Sequence, residues 1–361
     1  MMTIEERIKE IEDEIKKTQK NKATEKHIGI LKARISKLEL EQESHKKSSG
    51  YGFSVPKSGD ATVALVGYPN VGKSSILNAL TNKKSTVGNF AFTTLNVIPG
   101  TLNYNGAQIQ ILDLPGIIDN AALGAGRGRE IISTARNADL IVLVTDIEAK
   151  GLDRIINELY KSGIVLNKRK KDISLKKSNY GGLRIHKPKF VDISVDDIRD
   201  IAKEFKIVNG DIYIRENVDI DDLIDFFKGN IVYIKSIMVV NKVDMPHDEN
   251  TLRNKIEKFG DYLEVSATTM YNIEKLKERI YKSLDFVRVY MRNKAGIVDY
   301  ERPMILNSGS TVRDVCRKIS REMLENFRYA IITGPSRKIE AKVGLDYRVN
   351  DEDVITIISK Y

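Results

Sequence analysis

Between an apolar run, ATVALVG, and a helix-forming stretch, SSILNAL, stands Gly67-Tyr-Pro-Asn-Val-Gly-Lys-Ser-Ser75. This G-x-x-x-x-G-K-[ST] spacing at a strand-to-helix junction restricts the chain more than any other feature. It predicts a loop whose backbone N–H groups close around phosphate oxygens, with the dipole of the following helix adding to the attraction. Lys73 is placed to reach the β and γ phosphates, and Ser74 to ligate Mg2+. Gly67, Tyr68, Pro69, Asn70, Val71, Gly72 and Ser75 complete the candidate loop. A strand feeding such a loop also predicts a parallel sheet built from βαβ units.

The pattern from Ala61 agrees. TLNYNGAQIQILDL reads as a hairpin turning at Asn105-Gly106, a pair suited to a type I′ turn, and ADLIVLVTD as a buried strand. The next strand of this series, IMVVNKVD, follows only after a gap from about Gly163 to Asn230. That gap is too long for a loop, and it contains SVDDIRDIAKEF, GDIYIRE and VDIDDLIDFFKG. An inserted α/β domain is therefore expected over 164–230, entered through the lysine-rich NKRKKDISLKK. The nucleotide-binding domain then occupies 60–163 and 231–284.

At the N-terminus, Thr3-Ile-Glu-Glu6 is a capping box followed by Ile4, Ile8, Ile11 and Ile15 at helical spacing. Ile28, Leu31, Ile35 and Leu38 repeat in the same way, so 1–50 is read as an antiparallel helical hairpin, with either simple packing or RNA contact as its role. Ser44 to Asp60 is a Gly/Ser/Lys-rich linker. In 285–361, FVRVYMR, ERPMIL, AIITG and DVITIIS read as strands, and STVRDVCRKISREML as a helix capped by Ser310 or Thr311. The resulting ββαββ order predicts a small ubiquitin-like β-grasp domain.

Three further motifs fall at predicted strand ends. Asp113-Leu-Pro-Gly116 offers a carboxylate for Mg2+ and the Gly116 amide for a γ-phosphate. Asn241-Lys-Val-Asp244 offers the Asp244 carboxylate to the N1 and N2 donors of guanine, which adenine lacks, with the Lys242 stem lying along the base. Ser266-Ala-Thr268 offers backbone amides, including that of Ala267, to the guanine O6. Phe92-Thr-Thr-Leu95 supplies a switch threonine for Mg2+ and the γ-phosphate, Thr94 or, one residue earlier, Thr93. GAGRGRE (Gly124 to Glu130) reads as a second switch, with Arg127 or Arg129 either salt-bridged or acting as a finger.

Composition narrows the classes. The longest apolar runs are too short or too interrupted to span a bilayer, and the charged N-terminus lacks a signal-peptide core, so a cytoplasmic protein without membrane attachment is expected. One cysteine, Cys316, excludes an internal disulfide framework and fits a packed core thiol. The four histidines show no metal-ligand spacing and read as surface residues. A net charge of +9 suits an RNA or ribosome partner, although a lysine-rich surface of the heat-adapted kind gives the same total.

Taken together, KNKAT, GYPNVGKSS, FTTL, DLPGII, GAGRGRE, GGLRI, VNGDIYIRENVDIDDLID, NKVD, GSTVRDVCRKI and NDEDVITII resemble the DRG (developmentally regulated GTP-binding protein) family of Obg-related GTPases over nearly the whole chain. The resemblance implies a P-loop GTPase G domain with a small ribosomal-protein-like insert, an N-terminal helix-turn-helix and a C-terminal TGS domain of β-grasp type. It implies GTP, GDP and Mg2+ as ligands, and a ribosome or structured RNA as partner in translation. A protein partner on the TGS or G domain and a monomeric state are further expectations.

The family pattern often has serine where this chain has Asn70; other Obg-like and tRNA-modification GTPases carry asparagine there, and in several of them it helps bind K+ beside the phosphates. Ile117, directly after the DxxG glycine, cannot orient a water as the glutamine of Ras-like enzymes does. The reading is therefore slow intrinsic turnover in which Lys73, Thr94, the Gly116 amide and K+ held by Asn70 stabilise the transition state. Two alternatives stand beside it: Asn70 only shapes the loop, and the chain is a nucleotide-gated binding module with incidental hydrolysis.

Overall fold

In the computed structural model, residues 2–19, 21, 24–45, 57–81, 98–114, 125–293, 295–335 and 337–360 are described. The elements in chain order begin with α1 (Ile4–Lys17), α2 (Glu25–His45), β1 (Ala61–Gly67), α3 (Lys73–Thr81), β2 (Ile98–Tyr104), β3 (Ala107–Asp113), α4 (Ala125–Arg136), β4 (Leu140–Asp146) and α5 (Leu152–Lys161). There follow β5 (Ile164–Leu166), β6 (Ile173–Lys177), β7 (Leu183–His186), α6 (Val195–Glu204), β8 (Gly210–Ile214), α7 (Ile220–Lys228) and β9 (Val232–Asn241). Next come α8 (Glu249–Ile256), β10 (Tyr262–Glu264), α9 (Ile273–Ser283), β11 (Phe286–Met291) and β12 (Met304–Asn307). The chain closes with α10 (Val312–Ile319), α11 (Arg321–Glu325), β13 (Phe327–Gly334), β14 (Arg337–Val343) and β15 (Asp353–Ser359). Two compact units result, one from 1–52 and 159–233, the other from 53–158 and 234–361.

The first unit joins the N-terminal helices to the insert. Its three-stranded sheet has the order β6-β8-β7 and buries Ile173, Leu183, Ile212 and Ile214 against Ile198, Ile201, Leu223 and Ile224 of α6 and α7. Ala33 of α2 is a fully buried member of this same core. A small-residue face explains the close approach: a Cβ on Gly29 would stand 2.9 Å from Ile220, and Ala33 and Ser36 continue that face. Lys32–Asp221 (2.8 Å) and Arg34–Glu204 (3.0 Å) flank the contact. The capping box on α1 is formed as expected, Glu6 N donating to Thr3 Oγ1 and Thr3 N to Glu6.

In the second unit the main sheet runs β10-β9-β4-β1-β3-β2. β1 pairs in parallel with β3 (Leu65 opposite Asp113) and with β4 (Gly67 opposite Val144), so the C-terminal ends of these strands gather at one edge. β2 and β3 form the predicted hairpin, with Tyr104 opposite Ala107. Positive φ angles of 47° at Asn105 and 81° at Gly106 are what a type I′ turn requires.

The C-terminal sheet has the order β12-β11-β15-β13-β14. It covers Val312, Val315 and Cys316 of α10, and Cys316 is completely buried, with desolvation raising its thiol pKa. The sequence reading of this region lacks β14, which adds a fifth strand antiparallel to β13. Its residues alternate with Lys and Glu on an edge, and Ile339 is 82% exposed, so the apolar signal of a strand is diluted. Ile305 of β12 is buried in the core of the main sheet, which fastens the β-grasp domain to it.

Candidate nucleotide site

At the end of β1 the backbone has no room for larger side chains. A Cβ at Gly67 would lie 2.2 Å from the carbonyl oxygen of Val144, and one at Gly72 would lie 2.2 Å from Asn241 Nδ2. Gly72 has φ 92° and Asn70 φ 65°. Asparagine is one of the few side chains that accept the left-handed region, so the backbone alone supplies a reason for Asn70. Its side chain is exposed. Lys73 is buried and donates to the carbonyls of Gly67 (3.1 Å) and Tyr68 (3.0 Å), which holds its ammonium over the loop.

Ser74, at the start of α3, donates its hydroxyl to Asp113 Oδ2 at the end of β3. The other oxygen, Oδ1, is buried with no hydrogen-bond partner among the described residues. Burial raises the Asp113 carboxyl above the usual range, and the Ser74 hydrogen bond and the Lys73 charge only partly oppose it. A buried, half-satisfied carboxylate beside a hydroxyl is a hard oxygen pair of the kind that Mg2+ takes, and a cation there would remove the penalty of the unsatisfied oxygen. The residues present therefore fit a Mg2+–nucleotide.

Asn241, at the end of β9, is 3% exposed and ties two loops together. Its Nδ2 donates to Val71 O (3.0 Å) in the phosphate loop, and its Oδ1 accepts from Ala267 N (3.1 Å). Lys242, at φ 66°, pairs with Asp146 at the end of β4 (3.3 Å), while Asp244 is exposed. In the third loop Ser266 is completely buried, its N–H donating to Tyr271 O (3.1 Å) and its hydroxyl accepting from Thr269 N (3.1 Å). Ser266 thus shapes the loop, and a guanine O6 would share the Ala267 amide with Asn241.

Strand ends from β1, β3, β4 and β9 bring together Gly67, Lys73, Ser74, Asp113, Asn241 and Lys242. Thr93, Thr94, Gly116 and Ile117 lie outside the described residues, as does most of the linker. The backbone of α4 is helical from Ala125, which places Arg127 and Arg129 on a helix; their side chains are outside the description. Sequence reasoning missed two participants. Asp146 anchors Lys242, and Gly151 lets Tyr68 pack down, since a Cβ there would fall 1.9 Å from the Tyr68 ring. Asp146 closes an apolar strand in the sequence, which could have marked it; Gly151 carries no comparable signal.

A parallel sheet whose strand ends carry a phosphate loop, a Ser/Asp pair and an NKxD turn defines a P-loop GTPase. Family models agree, matching "50S ribosome-binding GTPase" over 62–177, "C-terminal region of MMR_HSR1 domain" over 180–286 and "TGS domain" over 287–359. An uncharacterized GTP-binding protein of Methanocaldococcus jannaschii is 45% identical, covering 100% of this chain and 94% of its own. Developmentally-regulated G-protein 3 of Arabidopsis thaliana is 42% identical over 100% of both chains, and developmentally-regulated GTP-binding protein 1 of Xenopus laevis is 42% identical over 98% of both. The chain belongs to the DRG family of GTP-binding GTPases.

Proposed function

We propose that this GTPase is a Mg2+-dependent nucleotide switch that hydrolyses GTP slowly and docks on a ribosome or structured RNA in its GTP state. The observation that carries the reading is the Ser74–Asp113 pair with its buried, unsatisfied Oδ1, standing directly beneath the phosphate loop. In this reading the loop amides and Lys73 hold the β and γ phosphates, and Ser74, Asp113 and Thr94 (or Thr93) hold the metal. Mg2+ held by these residues would supply positive charge to offset the negative charge of the phosphate oxygens. Asp244 selects guanine, with Lys242 oriented by Asp146. The ribosome as partner is supported by the description of the matching family model and by the chain's positive charge.

Ile117 gives the attacking water no side-chain guide, and the charge that stabilises the transferring phosphoryl group is open to a bound cation as well as to Arg127 or Arg129. We assign it to K+ coordinated by the exposed Asn70 side chain. Steady-state hydrolysis in KCl against NaCl at matched ionic strength tests this: a rise in KCl that Asn70→Ala removes is expected. Equal rates in both salts for both proteins would leave Asn70 with the backbone role alone. Acceleration by ribosomes, absent from a passive binding module, tests the switch itself.

A further inference from the structure

The sheet of the insert has a second face. Side chains alternate along a strand, so while Ile173, Leu183, Ile212 and Ile214 fill the core, the opposite face carries Ser174, Lys176, Arg184, His186, Asp211 and Tyr213. Register sets these in two rows: Lys176 and Arg184 both oppose Asp211, and Ser174 and His186 both oppose Tyr213. The His186 and Tyr213 rings are stacked, with centroids 4.6 Å apart and planes 10° from parallel, and the Arg215 guanidinium lies 5.8 Å from the Tyr213 centroid. Asp211 fixes this row from below, accepting from Arg184 (2.8 Å) and contacting His186 Nε2 (3.0 Å).

Charge around the face is one-sided. From Ile173 to Val191 the chain has no acidic residue and five basic ones, Lys176, Lys177, Arg184, Lys187 and Lys189. Nearby carboxylates are engaged, Asp172 with Arg215 and Glu216 with Arg169. Among the described residues, Lys176, Lys177 and Lys189 have no ion-pair partner. Aromatic rings are interleaved with these lysines: Tyr180 is 85% exposed and Phe190 62%. The Tyr180 turn is held in place although its ring is bare, since Ser178 Oγ donates to Tyr180 O (2.9 Å) and Gly182 N to Asn209 Oδ1 (3.0 Å).

We propose that this face binds a single-stranded RNA segment, whose bases stack on the Tyr213–His186 pair and on Tyr180 and Phe190 while its phosphates run along Lys176 and Lys189. The inference deepens, and rests on, the reading of an RNA or ribosome partner. A duplex would use the lysines alone, because its bases already cover one another, whereas exposed rings among cations match splayed bases. The ordered turn at Tyr180 reduces the entropy lost when a base settles on its ring.

Fluorescence anisotropy of the full-length protein with a labelled 12-nucleotide oligouridylate, with a 12-base-pair RNA duplex as comparison, tests the proposal. Single-strand binding about tenfold tighter than duplex binding is expected. Lys176→Glu with Lys189→Glu should weaken it about tenfold and flatten the log K against log salt slope by roughly 1.4, two phosphates at about 0.7 each. Tyr180→Ala with Phe190→Ala should weaken it by about thirtyfold or more with the slope unchanged. All four side chains are exposed, so GTP hydrolysis and melting should match the wild type. Variants that bind like wild type, a preference for duplex, or equal competition by polyglutamate would each overturn the proposal. Ribosome co-sedimentation separates it from the broader reading. GTP-dependent sedimentation that the quadruple variant retains sinks the RNA face and leaves the switch. Failure of the wild type to sediment in any nucleotide state, with the oligouridylate pattern intact, does the reverse.

Discussion

In the proposed site Asp113 is the one side chain on which metal affinity and pH response would both depend. Ser74→Ala removes a proposed metal ligand and leaves Asp113 Oδ2 without its donor, so hydrolysis should fall by about a hundredfold or more, read by phosphate release at saturating Mg2+. The pH effect has a definite sign. Because burial raises the folded-state pKa of Asp113, the buried carboxylate costs apo stability at neutral pH, and that cost is relieved as pH falls through the raised value. Mg2+ affinity runs the other way, because a protonated carboxyl cannot ligate. Fluorescent-GTP titrations should therefore show Mg2+ affinity falling, so that more Mg2+ is needed, as the pH is lowered through the raised Asp113 value, with Asp113→Asn flat across the same range. Gly72→Ala would meet both a left-handed backbone and the Asn241 amide 2.2 Å away. A loss of about 1–3 kcal/mol in denaturant unfolding, together with lost nucleotide binding, is expected.

Among elements, the seating of α2 on the insert is the least visible in the linear pattern. The stripe Ile28, Leu31, Ile35, Leu38 suggested a partner in α1, and α2 does fold back on it, Gln42 donating to Glu5 (2.8 Å) and His27 meeting Glu14 (2.9 Å); yet α1 has no buried residue, and α2 also places Gly29, Ala33 and Ser36 against the insert. Small residues give almost no periodic hydrophobic signal, which is why the contact escapes a reading based on apolar spacing. At one end of this contact the Lys228 side chain is 2% exposed and reaches Glu39 at 3.1 Å. Glu39→Ala would strand a buried ammonium at a cost of about 3–5 kcal/mol. Lys16→Ala, which breaks an exposed pair with Asp13, should change stability by less than about 0.5 kcal/mol in the same urea titration. The β2–β3 hairpin was legible because Asn-Gly dictates its turn locally, whereas β14 was not, because an edge strand need not hide either face.

At the scale of the molecule, the G domain and the β-grasp domain share buried surface. Ile305 is 3% exposed within the G-domain core, Pro303 packs where a Cβ on Gly106 would stand at 2.4 Å, and Lys318 bonds Asp60 at 2.8 Å. Ile305→Ala should cost about 2–5 kcal/mol and lower the melting of both domains together in calorimetry. Separate transitions, with only one displaced, would show the two domains to be energetically independent. Among the described residues no helix is long and apolar enough to cross a membrane.

The sequence by itself determined the elements whose cause is local: the glycine-spaced phosphate loop, the NKxD turn, the I′ hairpin, the capped helices and the order of strands that makes a parallel sheet. These follow from steric limits on φ and ψ and from apolar periodicity, which act within a few residues. Tertiary structure alone decided that Asn241 clamps Val71 to Ala267, that Asp146 orients Lys242, and that Asp113 keeps an unsatisfied oxygen in its burial. Those relations join residues up to 170 positions apart along the chain, and only the close packing of strand ends brings their polar atoms within bonding distance.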